Sequence, residues 1–392
     1  MGKWWDGKAL IFAGFLLAGN FKADPRLSWL PVDLTLLFAL LTAACTAAAF
    51  VKNNCRIPRQ LFWMLALYLL FALPLFGLDG SDDAGEKVLK LFTFTLLASV
   101  APFFLFKEKA EIRTLFHMLT AFGLMLGLDA ILSSFADGEL RITSEHATGM
   151  TAFGANTIGL GRAVGTALLW IAILGLEGRL GPIKTLGFLC FSLVVLIGSG
   201  SRGPILAAAA GLGLLALLFY WKRGTLLLRF AGVLLVLAAV GAYSVTVAPA
   251  TATERVQQLL QGKIDNSEAM RLQAYQLSWD VIKETPAGIG WGGFTSRINL
   301  WFGASRQYPH NLILEILLEG GWLQGFFLCG LVLYAFIRMY RQGILRSSYE
   351  ARTLFVLLFF FFANAMVSGD INDNKILFAT LALTLGYGGE NA

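Results

Sequence analysis

The chain has 392 residues, of which 57% are apolar and 14% charged, with a formal net charge of +6. Apolar runs of about 20 residues recur from end to end, the length that crosses a bilayer as a helix. The chain therefore reads as an all-α polytopic membrane protein. The alternating pattern of a membrane barrel is missing, and basic residues confined mainly to the gaps between apolar runs do not imply nucleic acid.

Lys3 and Lys8 precede the first apolar run, with no small-residue cleavage site, so an uncleaved first span is expected near Ala9 to Asn20. About twelve spans follow from the hydropathy pattern. The next seven are expected over Trp29 to Phe50, Leu61 to Phe76, Val88 to Phe106, Leu115 to Phe135, Thr157 to Leu176, Ile183 to Ile197 and Pro204 to Tyr220. Leu226 to Val247, Asn311 to Phe336, Thr353 to Val367 and Ile376 to Tyr387 complete the set. The organisation is then 1–248 as spans one to nine, 249–309 as one large loop, and 310–392 as spans ten to twelve.

Alternate connections carry the positive charge: Lys52, Arg56 and Arg59; Lys107, Lys109 and Arg113; Arg179 and Lys184; Lys222 and Arg223; Arg338, Arg341, Arg346 and Arg352. Positive loops face the cytoplasm. Both termini are then cytoplasmic, and the large loop, His310 and the Ser201-Arg202-Gly203 turn are external, where no nucleoside triphosphate is available.

In the large loop, Thr253 to Leu260 and Ser267 to Glu284 read as amphipathic helices. In the second, Met270, Ala274, Leu277 and Val281 recur at helical spacing, with Arg271, Tyr275 and Ser278 on a neighbouring face. Pro286-Ala287-Gly288-Ile289-Gly290-Trp291-Gly292-Gly293 follows. Its glycines allow a tight turn and close backbone approach, but no strand-turn-helix context makes it a dinucleotide fingerprint. At the loop's end, Pro309 marks a helix start and Asn311 suits the N-cap. His310 stands at the mouth of that helix, where a proton acceptor is chemically credible. A helix-start histidine that merely bonds to backbone fits the pattern equally well.

Arg202 sits in an almost lengthless turn between two spans. A planar, permanently charged donor fork there suits phosphate oxygens, or snorkels to lipid headgroups. Arg271, Arg255, Arg297 and Arg306 in the loop, and Arg141 and Arg162 around the sixth span, are further external arginines. Glu315 and Glu319, four residues apart, share a helix face below His310. They serve to orient His310 or an acceptor sugar, or else pair with loop arginines. Asp79, Asp82, Asp83 and Glu86 read as a solvated turn. Asp370, Asp373 and Lys375 read as loop charges, and Asp129 as an intramembrane acid. His117 and His146 join no ligand set. Cys45, Cys190 and Cys329 fall inside apolar runs and Cys55 in a basic loop, with no metal spacing or disulfide framework. No metal or other cofactor is expected.

The order of these motifs resembles a known family. Ser201-Arg202-Gly203 between two spans, a large external loop with Arg271 and the glycine-rich stretch, then Pro309-His310-Asn311 with Leu314, Glu319 and Gly320, is similar to the O-antigen ligase and polymerase superfamily, the Wzy_C-type membrane glycosyltransferases. The motif-bearing part covers roughly residues 185 to 340. The resemblance implies a GT-C-like membrane fold in a bacterial inner membrane with a periplasmic active site. Its implied donor is a glycan on undecaprenyl diphosphate. The ligases transfer it to lipid A-core, the polymerases to another lipid-linked repeat, and relatives to protein hydroxyls. The compact loop and short N-terminal half favour the ligases. His310 is catalytic by the family pattern, with Arg202 and Arg271 on the diphosphate. Arg255, Arg141, Arg162, Asn311, Glu315, Glu319 and Tyr275 are supporting candidates. A secondary transporter shares the twelve-span layout, but the sequence shows no repeat between halves.

Overall fold

The computed structural model describes residues 6–21, 24–77, 82–135, 157–220, 266–298, 308–343, 345 and 348–388. Helices and turns make up the described residues, with no strand among them. The chain divides into two compact units. The first comprises Met1–Ala44, Glu108–Lys263 and Leu345–Phe360, and the second Cys45–Lys107, Ile264–Ile344 and Phe361–Ala392.

Each expected span inside the described residues is met by a helix. These are α1 (Gly7–Leu17), α2 (Leu34–Lys52), α3 (Leu61–Ala72), α4 (Asp82–Lys90), α5 (Leu96–Val100), α6 (Pro102–Leu105), α7 (Lys109–Phe135), α8 (Thr157–Leu176), α9 (Pro182–Gly198) and α10 (Arg202–Leu215). After them come α11 (Asn266–Glu284), α12 (Gly293–Arg297), α13 (Leu312–Glu315), α14 (Trp322–Arg341), α15 (Tyr349–Ala365) and α16 (Lys375–Gly386). The expected ninth span and the helix over Thr253 to Leu260 lie outside the described residues.

Five helical stretches are long and apolar enough to cross a membrane: Leu34–Lys52, Asp83–Leu105, Lys109–Ser133, Thr157–Leu176 and Trp322–Arg341. Others, such as the 12-residue α3 and α16, rise only about 18 Å at 1.5 Å per residue, less than the roughly 30 Å hydrocarbon core.

The fourth span begins earlier than the sequence suggests. Asp82, Asp83 and Glu86 lie within α4 rather than in a solvated turn, and Glu86 pairs with Lys90 one turn on. A π-helical turn, Leu91–Thr95, then leads to α5.

In the first unit α8 is the core. It is buried along nearly its whole length, including Trp170, Leu169 and Ile173. Small residues let its neighbours approach, as expected where packing rather than water exclusion holds membrane helices together. A Cβ on Gly123 of α7 would lie 2.5 Å from the Ala163 carbonyl oxygen of α8. A Cβ on Gly165 would lie 2.6 Å from the Phe360 ring, and one on Gly161 3.0 Å from Pro204 at the start of α10. Asp129 lies in an ion pair. Its carboxylate takes Arg26 Nη1 at 2.8 Å, and Arg26 Nε also meets Asp24. The second unit is built on aromatic contacts. Phe71 of α3 packs against Trp291 and Phe378 at centroid distances of 5.4 and 6.5 Å.

The Gly123 contact is with backbone, which no rotamer change relieves. Gly123→Val is therefore expected to destabilise the purified protein by about 1–3 kcal/mol, seen as a lower thermal midpoint in detergent. Gly187→Val, at a glycine with open space around it, serves as the unaffected control.

Candidate active site

The loop helix α11 packs only part of its expected apolar stripe, Ala274 and Val281. Met270 and Leu277 are each 37% exposed, whereas Ala274, Ser278 and Ile282 are buried. The packed side is thus the face that also carries Arg271 and Tyr275. Ala274 and Ile282 form a small core with Phe294, Ile298, Leu317 and Leu318. The polar side chains on that face find partners at its edge. Ser278 Oγ donates to the Ala274 carbonyl at 2.7 Å, and Arg271 Nη1 to the Val367 carbonyl at 3.2 Å.

The expected tenth span is broken. Asn311, with φ −144° and ψ 114°, is the N-cap of α13, and its side chain accepts from the amides of Ile313 and Leu314 at 3.0 and 3.1 Å. Pro309 precedes the helix rather than beginning it. α13 widens into a π turn, Ile316–Gly320, closed by Gly321 N donating to Ile316 O at 2.9 Å. Gly321, at φ +104°, then breaks the helix before α14. Such π turns recur at functional sites.

The glycine-rich stretch clasps this break. Ile289 N and Gly290 N donate to the carbonyls of Leu318 and Glu319 at 2.8 and 3.0 Å, and Trp322 N donates to Pro286 O at 3.0 Å. A Cβ on Gly288 would lie 2.6 Å from Glu319 O, and one on Gly321 2.7 Å from Ala287 O. The close approach read from the glycines is therefore to the chain itself.

Among the described residues, Glu315 and Glu319 pair with Lys87 and not with a loop arginine. Both are fully buried, and Lys87 of α4 lies between them. Its ammonium is 2.6 Å from Glu315 Oε1 and also pairs with Glu319. Glu319 further accepts from Gly292 N at 3.0 Å and Phe294 N at 3.3 Å, and Glu315 Oε1 accepts from Ile371 N at 3.3 Å. The loop after α15 is tied to the same point. Asn372 Nδ2 donates to Lys87 O at 3.0 Å, and Asp370, only 3% exposed, accepts from the amides of Asn372 and Asp373. Sequence reasoning passed over Lys87 because it borders an acidic stretch and looks like the polar flank of a span. Its one signal is its position a single residue before the apolar run.

His310 stands at the mouth of the broken helix in the left-handed region, φ +56°, where non-glycine residues are uncommon. Tyr308 packs on its ring at a centroid distance of 4.3 Å. Tyr275 Oη donates to His310 O at 3.5 Å and to Met366 O at 3.4 Å. Burial raises the Tyr275 pKa, with Arg271 partly opposing, which keeps that proton in place. Burial and then the Arg271 charge push the His310 pKa down to about 4. Its buried Nδ1 has no hydrogen-bond partner among the described residues. At neutral pH this is an uncharged imidazole whose buried ring nitrogen is unsatisfied, and such groups are unusual outside functional sites.

The sequence-derived set thus divides. His310, Arg271, Tyr275, Asn311, Glu315 and Glu319 share the second unit. Arg202 and Arg162 lie in the first, where Arg202 opens α10 after Ser201 and Arg162 follows Gly161, the residue that touches Pro204. Arg297 is exposed. Arg141, His146, Arg255 and Arg306 lie outside the described residues. Among the described residues no group of His, Cys, Asp and Glu is arranged to hold a metal ion.

Residues 187–329 match a family model described as O-antigen ligase. The chain carries a domain of the O-antigen ligase superfamily. The matched segment is a little over a third of the chain and contains Arg202, Arg271 and His310. No curated protein matches the chain. The superfamily implies a glycosyltransferase-like enzyme working on a lipid-linked glycan and a lipid acceptor. With its long apolar helices, it makes the chain an integral membrane protein.

Two measurements check this geometry. Histidine-labelled NMR of the chain, which has three histidines, should find one ring uncharged down to about pH 4, and Arg271→Gln should raise that value. Because the folded-state pKa is below the ordinary 6.5, the associated stability is full above pH 6.5 and is lost as pH falls toward 4. Lys87→Met strands two buried carboxylates and should cost about 3–5 kcal/mol, read as a lower midpoint of thermal unfolding.

Proposed function

We propose that the chain is an O-antigen ligase that transfers a glycan from undecaprenyl diphosphate to a sugar hydroxyl of lipid A-core at the periplasmic face of the bacterial inner membrane. The observation that carries this reading is His310. It is an uncharged imidazole whose buried Nδ1 has no partner among the described residues, set near Arg271 inside the matched segment.

The chemistry asks little more. The acceptor hydroxyl oxygen attacks the anomeric carbon, and the bond from that carbon to the diphosphate oxygen breaks. His310 takes the hydroxyl proton as general base. Undecaprenyl diphosphate leaves as an anion, so the protein's task on that side is positive charge rather than proton donation. Arg271 supplies part of it, and Arg202 takes the second diphosphate role that the resemblance implies. Arg162, Arg141 and Arg255 are reserve candidates for the same task. Asn311 and Tyr275 hold His310 in place, and Glu315 and Glu319 act behind it through Lys87. Attack opposite the leaving group inverts the anomeric centre, and no metal takes part.

The test is transfer with purified components, using lipid-linked glycan and lipid A-core. Wild type should attach glycan to lipid A-core and tolerate EDTA. His310→Ala should lose about 10²–10⁴-fold in rate, and Arg202→Ala and Arg271→Ala about 10²–10³-fold, all three remaining folded. The wild-type pH profile should keep its activity well below pH 6.5, because the base is deprotonated down to about 4. Lengthening of the donor glycan with lipid A-core ignored would make the chain a polymerase instead. Normal activity in His310→Ala would end the base assignment.

A further inference from the structure

One corner of the first unit takes no part in that chemistry. α8 has Arg162 in its first turns and ends at Leu176, so its 20 residues separate the Arg162 and Arg202 end from this corner by about 30 Å. Four element ends meet here: the starts of α7, α9 and α15 and the end of α8. The Tyr349 ring lies at the centre, stacked on Trp170 at 5.8 Å. Two guanidiniums share that ring. Arg113 Cζ is 5.3 Å and Arg179 Cζ 5.4 Å from its centroid.

The two cations are not equally compensated. Arg113 donates from Nε and Nη2 to Glu350 at 2.9 and 2.6 Å. The neighbouring carboxylate, Glu177, is taken by Arg352 Nη2 at 2.6 Å. Arg179 has no carboxylate partner among the described residues and is exposed. Its backbone is nevertheless fixed. Gly178, at φ +65°, ends α8, with Gly178 N donating to Gly175 O at 3.1 Å and Arg179 N to Leu174 O at 2.8 Å. This is the paired hydrogen-bond pattern of a Schellman cap. A guanidinium carried on a fixed backbone beside a second one, with no carboxylate partner among the described residues, is a receptor for an anion, and its planar fork fits phosphate oxygens.

The next residues say which phosphate. α9 begins three residues after Arg179, and its first turns expose Ile183 (86%), Leu186 (44%) and Phe188 (42%), with Lys184 exposed among them. Exposed apolar side chains on a membrane helix face acyl chains. Arg179 therefore stands where acyl chains give way to headgroups, among residues that the charge pattern assigns to the cytoplasmic side. We infer that the corner formed by Arg113, Arg179 and Tyr349 binds the phosphate of an anionic phospholipid headgroup, with the acyl chains along the exposed face of α9.

Native mass spectrometry of the full chain in detergent tests this with phosphatidylglycerol and phosphatidylcholine as probes. Wild type should retain phosphatidylglycerol several-fold better. Arg179→Gln, at an exposed position, should lose that preference without a change in its lipid-free unfolding midpoint. Tyr349→Phe, which keeps the ring, should retain it. Millimolar inorganic phosphate should not displace the lipid. Equal retention of the two lipids by wild type, or an undiminished preference in Arg179→Gln, overturns the inference. Displacement by inorganic phosphate also overturns it, and would mark a site for soluble phosphate instead.

Discussion

A single buried ammonium organises the polar interior of the second unit. Lys87 lies between Glu315 and Glu319 of the broken helix, and its carbonyl accepts from Asn372 in the loop after α15. Through Glu319 the same contact reaches Gly292 and Phe294 in the glycine-rich turn. Charges are tolerated out of water only when paired and hydrogen-bonded. The three segments are therefore held in one register, because any slip leaves a carboxylate or the ammonium alone in an apolar interior. His310, one residue before the helix cap, takes its position from that register.

The two units use different means of cohesion. In the first, Gly123 of α7 lets its backbone meet α8 closely and small residues on α8 admit Phe360 and Pro204, while ion pairs such as Arg26–Asp129 and Arg352–Glu177 join its helices. In the second, backbone amides of the glycine-rich turn are spent on the carbonyls of the π turn and on a buried carboxylate. A broken helix frees backbone groups that must find partners away from water, and the glycine-rich turn supplies them.

The helices were legible because apolar runs of bilayer length report directly on them, and five described stretches are long and apolar enough to cross a membrane. Thr157 to Leu176 was placed to the residue. The Asn311 cap was legible for a similar reason, since Asx side chains at a helix mouth have one strong local partner, the free amides. The Arg271 face of α11 was visible as a spacing but not as the buried side. Tyr275 meets the His310 and Met366 carbonyls only through the tertiary fold, whereas the buried Ser278 hydroxyl bonds to Ala274 of its own helix. The Lys87 pairing was not legible at all. It joins residues more than 220 positions apart, and a lysine at the edge of an apolar run looks the same whether it faces water or a carboxylate pair. The break at Gly321 had a local mark, because Glu319-Gly320-Gly321 interrupts the apolar run with a Gly-Gly pair, but nothing local marks the π turn before it.

The backbone at position 310 narrows what evolution can place there. With φ at +56°, β-branched and bulky side chains are strained before any chemistry is considered, whereas histidine, asparagine and aspartate are the side chains most often found in that region. Of those three, asparagine cannot take up a proton, and under the proposed function aspartate would set a negative charge where an anionic donor approaches. Backbone shape and the proposed donor's charge thus converge on histidine independently of its pKa, and a different residue in the proposed role would have to begin by rebuilding the turn between Pro309 and Leu312.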